Sequence, residues 1–144
     1  MKQTLLHQDL AKVVIGCFYT VYNTLGYGFL EKVYENALVI ELRQKGLTVQ
    51  QQFPIEVFYK GDTVGKYFAD LLIEDKIILE LKAAKIIAQS HLVQLQNYLK
   101  ASQIELGFVF NFGPQPKFER RIFQNIMPQM IQTSGSRIEP KRSI

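Results

Sequence analysis

Cysteine is almost absent: Cys17 is the only one among 144 residues. A lone thiol excludes a disulfide framework and a cysteine-built metal site, and it fits a reducing, cytoplasmic setting. There is no zinc-finger spacing, no helix-turn-helix pattern and no basic arm beyond Arg137, Lys141 and Arg142. No dedicated element for reading a nucleotide sequence is therefore visible. Internal repeats are missing, and so is any compositional break that would mark a second domain. A strong charge of one sign is missing too. The formal net charge of +4 permits a polyanionic partner without demanding one. The chain also lacks a solid aliphatic block. Val13 to Leu30 carries no formal charge, yet Thr20, Asn23, Thr24, three glycines and three tyrosines interrupt it. It reads as neither a membrane span nor a signal peptide.

What is present is enough for one domain with a real core. That domain is expected over residues 1–130. From about Thr133 the composition turns to Ser, Gly, Pro, Lys and Arg, so 131–144 is expected to be a flexible tail. Apolar residues at helical spacing predict a first helix over 4–25, broken by Gly26-Tyr27-Gly28. A second helix is expected from Phe29 to Lys45, stopped by Gly46, with Leu30, Val33, Ala37, Ile40 and Leu42 as its buried stripe. Val49–Lys60, Val64–Ile73 and Ile77–Ala83 read as three strands with short connections, hence an antiparallel meander. Pro54 points to an edge strand or a bulge. Residues 88–102 read as a third helix with Leu92, Leu95 and Leu99 buried. Ile104–Phe112 is a strongly apolar strand, and Phe118–Ile122 would add a short edge strand.

Phe68 to Lys82 is the organising stretch. Two apolar runs are joined by Glu74-Asp75-Lys76, so a three-residue turn pairs Ile73 with Ile77. That register sets Asp70 opposite Glu80, whereas a two-residue turn would set it opposite Leu81 unless a bulge corrected it. Alternation then turns Asp70, Glu80 and Lys82 to one face of a sheet that is otherwise Leu and Ile. Like charges opposite one another destabilise a sheet, and strands apolar on both faces are covered on both faces. Either a hard divalent cation is held by the carboxylates, or Lys82 neutralises one of them in a buried ion pair. Glu31 borders the buried side of its helix, where it serves either this patch or the helix dipole. Gln94 and Tyr98 are four apart and share a helical face. His91, alone, reads as a surface or capping residue.

Gly28-Phe29-Leu30-Glu31-Lys32-Val33-Tyr34 resembles the motif that names the GxxExxY proteins, a branch of the PD-(D/E)xK nuclease superfamily. Asp70 followed by Glu80-Leu81-Lys82 resembles the split signature of that superfamily. Gln94-Leu95-Gln96-Asn97-Tyr98 is similar to the QxxxY motif of its RecB-like members. Ala69 stands where the pattern has Pro, at a position that is loose in the superfamily. The resemblance runs from about Leu6 to Arg121. It implies an α/β, restriction-endonuclease-like mixed sheet flanked by helices, in the order α-α-β-β-β-α-β with a further edge strand. It implies Mg²⁺ or Mn²⁺ held by Asp70, Glu80, the Leu81 carbonyl and Glu31. Lys82 would activate water and steady the phosphate. Gln94 and Tyr98 would position the substrate or the lysine. The substrate would be nucleic acid, DNA before RNA, with no membrane involved and with room for a homodimer. The alternatives are a nucleic-acid-binding or protein-interaction module that keeps the fold without cleavage, and a structural domain with a buried ion pair.

Overall fold

The structure is a computed structural model that describes residues 6–124. The expected tail lies outside the described residues. The elements are α1 (Gln8–Leu25), α2 (Glu31–Gln44), β1 (Val49–Tyr59), β2 (Asp62–Ile73), β3 (Ile77–Lys82), α3 (Gln89–Ser102), β4 (Leu106–Phe112) and β5 (Pro116–Ile122). The strands form one mixed sheet in the order β1-β2-β3-β4-β5. Among the described strands only β3 and β4 pair in parallel, because α3 makes the crossover between them. This is the restriction-endonuclease-like α/β arrangement that the motif resemblance implies. Among the described residues no helix is long and apolar enough to cross a membrane.

Turn chemistry sets the strand pairing. Lys60 and Gly61 both have positive φ and close a two-residue hairpin between Tyr59 and Asp62, the conformation a tight hairpin requires. Between β2 and β3, Glu74 and Asp75 take positive φ, and the pairing is Ile73 with Ile77 as the turn length predicts. Pro54 lies on β1, an edge strand, the position in a sheet where proline is tolerated.

Each face of the sheet has its own core. Leu71, Ile73, Ile77, Leu79 and Leu81 pack with α1 and α2. Leu72, Ile78 and Val109 pack with Leu92, Leu95, Tyr98 and Leu99 of α3. At the centre of the first core Phe18 stacks on Phe110, with ring centroids 4.4 Å apart. α3 sits against the sheet because Gly107 has no side chain: a Cβ there would lie 2.7 Å from Leu95 Cδ1.

One expectation is corrected. Of the expected buried stripe of α2, Leu42 is buried and Ala37 packs against the core, but Leu30, Val33 and Ile40 do not belong to it. Leu30 caps the helix in extended conformation and is 80% exposed, and Val33 and Ile40 also face outward. The buried residues are Tyr34, Glu35, Leu38, Val39 and Leu42. The helix is rotated so that a tyrosine and a carboxylate, which aliphatic spacing does not register, take inward positions.

Candidate active site

The strand ladder between β2 and β3 ends at Leu71 and Leu79. Beyond that rung side chains take the place of backbone partners. The Asp70 N–H donates to Glu80 Oε2 at 2.9 Å, and the Leu81 N–H donates to Asp70 Oδ2 at 2.8 Å. The two carboxylates are thus stitched across the gap where the strands part. Glu80 is 4% exposed, and its Oε1 accepts no hydrogen bond among the described residues. Burial, then the nearby Asp70 carboxylate, push the Glu80 carboxyl up to about 8. Burial also raises Asp70, with the Glu35 carboxylate adding to it against the Leu81 N–H bond.

The opposite neighbour of Asp70 is Gln52 on β1. The β1–β2 ladder pairs Gln51 with Leu71 and Phe53 with Ala69, and it skips the rung between them. Gln52 takes a positive φ of 54° there. Side-chain alternation breaks at this point: Leu71 packs toward α1 and α2, whereas Ala69 packs toward α3. Strict alternation along β2 therefore does not describe the stretch around Asp70. The irregularity lets Gln52 Nε2 reach Glu35 Oε2 at 3.2 Å and Asp70 Oδ1 at 3.5 Å.

Lys82 forms no ion pair with another described residue. Among the described residues the ion pairs are Lys32 with Glu35 and Arg121 with Glu119. The Lys82 ammonium nevertheless acts on both carboxylates through space, as a smaller influence that lowers each. The contact ion pair that would have made this a purely structural cluster is not formed.

Glu31 begins α2 and points toward the end of β3, where its Oε2 accepts from the Ala83 N–H at 3.3 Å. It also contributes to raising Glu80. Tyr34 accounts for this placement. Its ring is fully buried and stacks on Phe112 at 4.3 Å. Its hydroxyl accepts from the Phe29 N–H at 3.1 Å and donates to the Gly26 carbonyl. Gly28, at φ 122°, completes the turn. Gly28, Glu31 and Tyr34 are one device: a glycine turn, an anchor one helical turn on, and a carboxylate between them.

α3 closes the other side. The Ala88 N–H donates to His91 Nδ1 at 3.0 Å, so His91 caps its own helix. Burial, then Lys82, lower its pKa. Tyr98 is buried, and desolvation followed by Glu80 and Asp70 push its phenol up to about 12. Gln94 lies one turn earlier, on a groove between α3 and the β1–β2 hairpin, and bonds to none of the clustered groups.

Three contributors escape a reading of sequence. Glu35 is 4% exposed and accepts from Lys32, Gln51 and Gln52. Gln52 links it to Asp70. Asn111 is fully buried in an all-apolar strand and clamps Ala84, with Ala84 N to Oδ1 and Nδ2 to Ala84 O both 2.9 Å. A polar residue inside the run Leu106–Phe112 was the available signal for Asn111, since buried amides need partners.

These residues fit a hard divalent cation in a specific way. Among the described residues no group of three or more His, Cys, Asp or Glu side chains is placed to hold a metal ion. Mg²⁺ does not need one: it is commonly held by one or two carboxylates, water and substrate phosphate. Glu80 Oε1 is a buried, unsatisfied acceptor, and cation binding would remove the repulsion between Glu80 and Asp70. Along a strand the N–H and C=O of one residue face the same edge, so the Leu81 carbonyl faces the gap that its N–H enters.

Residues 8–123 match the sequence pattern of the PD-(D/E)XK nuclease superfamily. No curated protein matches the chain. Among solved structures, the crystal structure of SSO0001 superposes with a TM-score of 0.53 at 21% identity, covering 64% of this chain and 50% of that one. The crystal structure of an alkaline exonuclease, LHK-Exo from Laribacter hongkongensis, gives a TM-score of 0.49 at 12% identity, over 71% of this chain and 60% of that one. The chain thus spans only part of the length of either protein. The likeness to SSO0001 concerns the fold.

Proposed function

The chain belongs to the PD-(D/E)XK nuclease superfamily, and from that premise we propose that it is a metal-dependent phosphodiester hydrolase acting on DNA, in the GxxExxY branch. The observation that carries this reading is the pair of carboxyl groups Asp70 and Glu80, the second buried and the first partly so, held together at the parting of two strands beside a lysine that neutralises neither by contact. In an ordinary core such a pair is a net cost. At a phosphoryl-transfer site it is a cation site next to a positive charge.

In this reading Asp70, Glu80 and the Leu81 carbonyl hold Mg²⁺ or Mn²⁺, with Glu31 as a further ligand directly or through water. The cation, when bound, polarises a phosphoryl oxygen and lowers the pKa of water. Lys82 supplies positive charge where negative charge develops on the phosphate, and it orients the attacking water. Glu35, through Gln52, holds the Asp70 carboxylate in place. Tyr98 and Gln94 face the substrate from α3. His91 fixes the start of that helix and takes no part in the chemistry.

The test is cleavage of single-stranded DNA, duplex DNA and RNA by the purified chain with Mg²⁺ or Mn²⁺, alongside Lys82→Ala. Metal-dependent cleavage that falls on the order of 10²-fold or more in the variant is expected, as for other groups that stabilise transition-state charge. Equal rates for parent and variant would remove Lys82 from the chemistry. Binding of DNA without cleavage under either metal would make the chain a binding module.

A further inference from the structure

Next to the site, between the β1–β2 hairpin and α3, runs a groove with a volume of about 660 Å³. Three features of the sequence build it. The β1–β2 register shifts between Val57 and Phe58, and both residues line the groove although they are adjacent in the chain. A bulge re-aims a side chain in this way. Gly65 stands opposite Val57, and a Cβ there would lie 3.2 Å from Tyr67 Cε2. The missing side chain therefore makes room for the Tyr67 ring. That ring is tilted against Tyr98, with centroids 5.8 Å apart, and is 48% exposed.

The polar lining is uncommitted. Ser90, Gln94 and Asn97 of α3 face the groove, and none makes a side-chain hydrogen bond with another described residue. Lys100 lies at the same wall and forms no ion pair with another described residue. No carboxylate lines the groove. An exposed aromatic face, free amides at one depth and a cation without its counter-ion match a nucleotide: base, base edge and phosphate. The volume lies in the range of about 300–1,000 Å³ of small-ligand sites. Tyr98 belongs both to this groove and to the surroundings of Asp70 and Glu80, so a strand lying in it leads to the candidate site.

We propose that this groove binds unpaired nucleotides of single-stranded DNA, with a base stacked on Tyr67, the free amides of α3 on its edge and Lys100 on the backbone phosphate. A base held in a duplex is stacked on its neighbours and cannot reach the ring. The groove thus assigns single strands, or frayed ends, as the substrate class. The inference rests on the nuclease reading of the adjacent site.

The experiment uses the full chain without divalent metal. Binding of a fluorescein-labelled oligodeoxythymidylate is compared with the same strand annealed to oligodeoxyadenylate. The single strand should bind more tightly. Tyr67→Ala should weaken single-strand binding by about 5- to 150-fold, the range a stacked base supplies, while Tyr67→Phe should bind as the parent does. Lys100→Ala should lower the salt dependence by about one phosphate contact. The chain has no tryptophan, so Tyr67→Trp introduces a single indole. Its fluorescence should be quenched by the single strand and not by the duplex, which tests the groove even if Tyr67→Ala fails to fold. Equal binding of single strand and duplex, an unquenched indole or a Tyr67→Ala that binds like the parent would each overturn the proposal. Metal-dependent cleavage that is indifferent to Tyr67 would overturn it and leave the nuclease standing. Tyr67-dependent binding with no cleavage under Mg²⁺ or Mn²⁺ would uphold the groove and remove the nuclease.

Discussion

The backbone amide of Asp70 donates to the Glu80 carboxylate at 2.9 Å, while the Asp70 carboxylate accepts from the amide that follows Glu80. Each acid thus satisfies a backbone group that the interrupted ladder would leave bare. This holds two carboxyl groups side by side, Glu80 buried and Asp70 partly so, and it makes the pair sensitive to protons and to cations.

Stability should fall as pH rises when no divalent metal is present. The Glu80 carboxyl is raised from 4.5 to about 8 in the folded chain, and Asp70 is raised as well. Between those pH values the folded state holds a proton that the unfolded state has released. The stabilisation is complete below 4.5 and is lost as pH climbs through 8. Glu80→Gln keeps an acceptor for the Asp70 amide and removes the charge. Denaturation in EDTA should show the parent losing stability across this window, with the variant flatter and more stable at the alkaline end. A parent whose stability is level across the window would show that Glu80 ionises freely.

Mg²⁺ or Mn²⁺ should raise the melting temperature at neutral to alkaline pH, because a ligand bound only by the native state stabilises it. Asp70→Asn can still accept the Leu81 N–H but removes one of the two negative charges. Its thermal shift should be smaller than the parent's at equal metal. No shift in the parent at millimolar metal would mean that the carboxylates share a proton and take no cation.

Much of this was legible in the residues, and what was not has physical reasons. The three-residue turn at Glu74–Lys76 fixed the β2–β3 register, and Asp70 and Glu80 meet as the register requires. Glu31 and Tyr34 were visible as a spaced motif, though not the hydroxyl bonds that explain the spacing. Aliphatic periodicity misplaces the inward face of α2, because Tyr34 and Glu35 occupy it and a buried acid carries no apolar signal. Glu35 became visible only once Gln51 and Gln52 of β1 were in reach, contacts between elements that are separate in sequence. The break in alternation at Gln52 follows from one positive φ at a non-glycine residue, which no sequence pattern announces.

Tyr34→Phe isolates the role of the motif tyrosine. The ring and its stacking on Phe112 remain, but the Phe29 N–H and Gly26 carbonyl lose their partner. A loss of about 1–2 kcal/mol is expected by chemical denaturation. Because the same bonds hold the turn that precedes Glu31, the metal-induced thermal shift should also shrink. A variant that loses stability but keeps the full metal response would mean that Glu31 does not contribute to the cation site.

The last expectation concerns Gly113, which reaches Lys82 through the loop behind it. A Cβ on Gly113 would lie 2.3 Å from the Ala84 carbonyl oxygen and 2.8 Å from Asn111 Nδ2. The first neighbour is backbone, so it cannot swing aside as a side-chain tip would. Asn111 holds Ala84 through both of its amide atoms, and it pairs with Lys82 in the parallel ladder. Gly113→Ala must therefore push the Ala84 segment off β4 and open the Asn111 clamp two residues after Lys82. Overpacking of this kind costs about 1–3 kcal/mol. The cleavage rate should fall more than DNA affinity does, because a displacement near 1 Å at a reacting group can cost on the order of 10²-fold in rate, whereas one lysine is a small share of the phosphate contacts. Asn111→Ala, which leaves both Ala84 groups unpaired without adding bulk, should reproduce the rate defect. Thermal denaturation and single-turnover cleavage measure both effects. A Gly113→Ala that keeps its melting temperature and its rate would show that the segment after Lys82 is not held by β4.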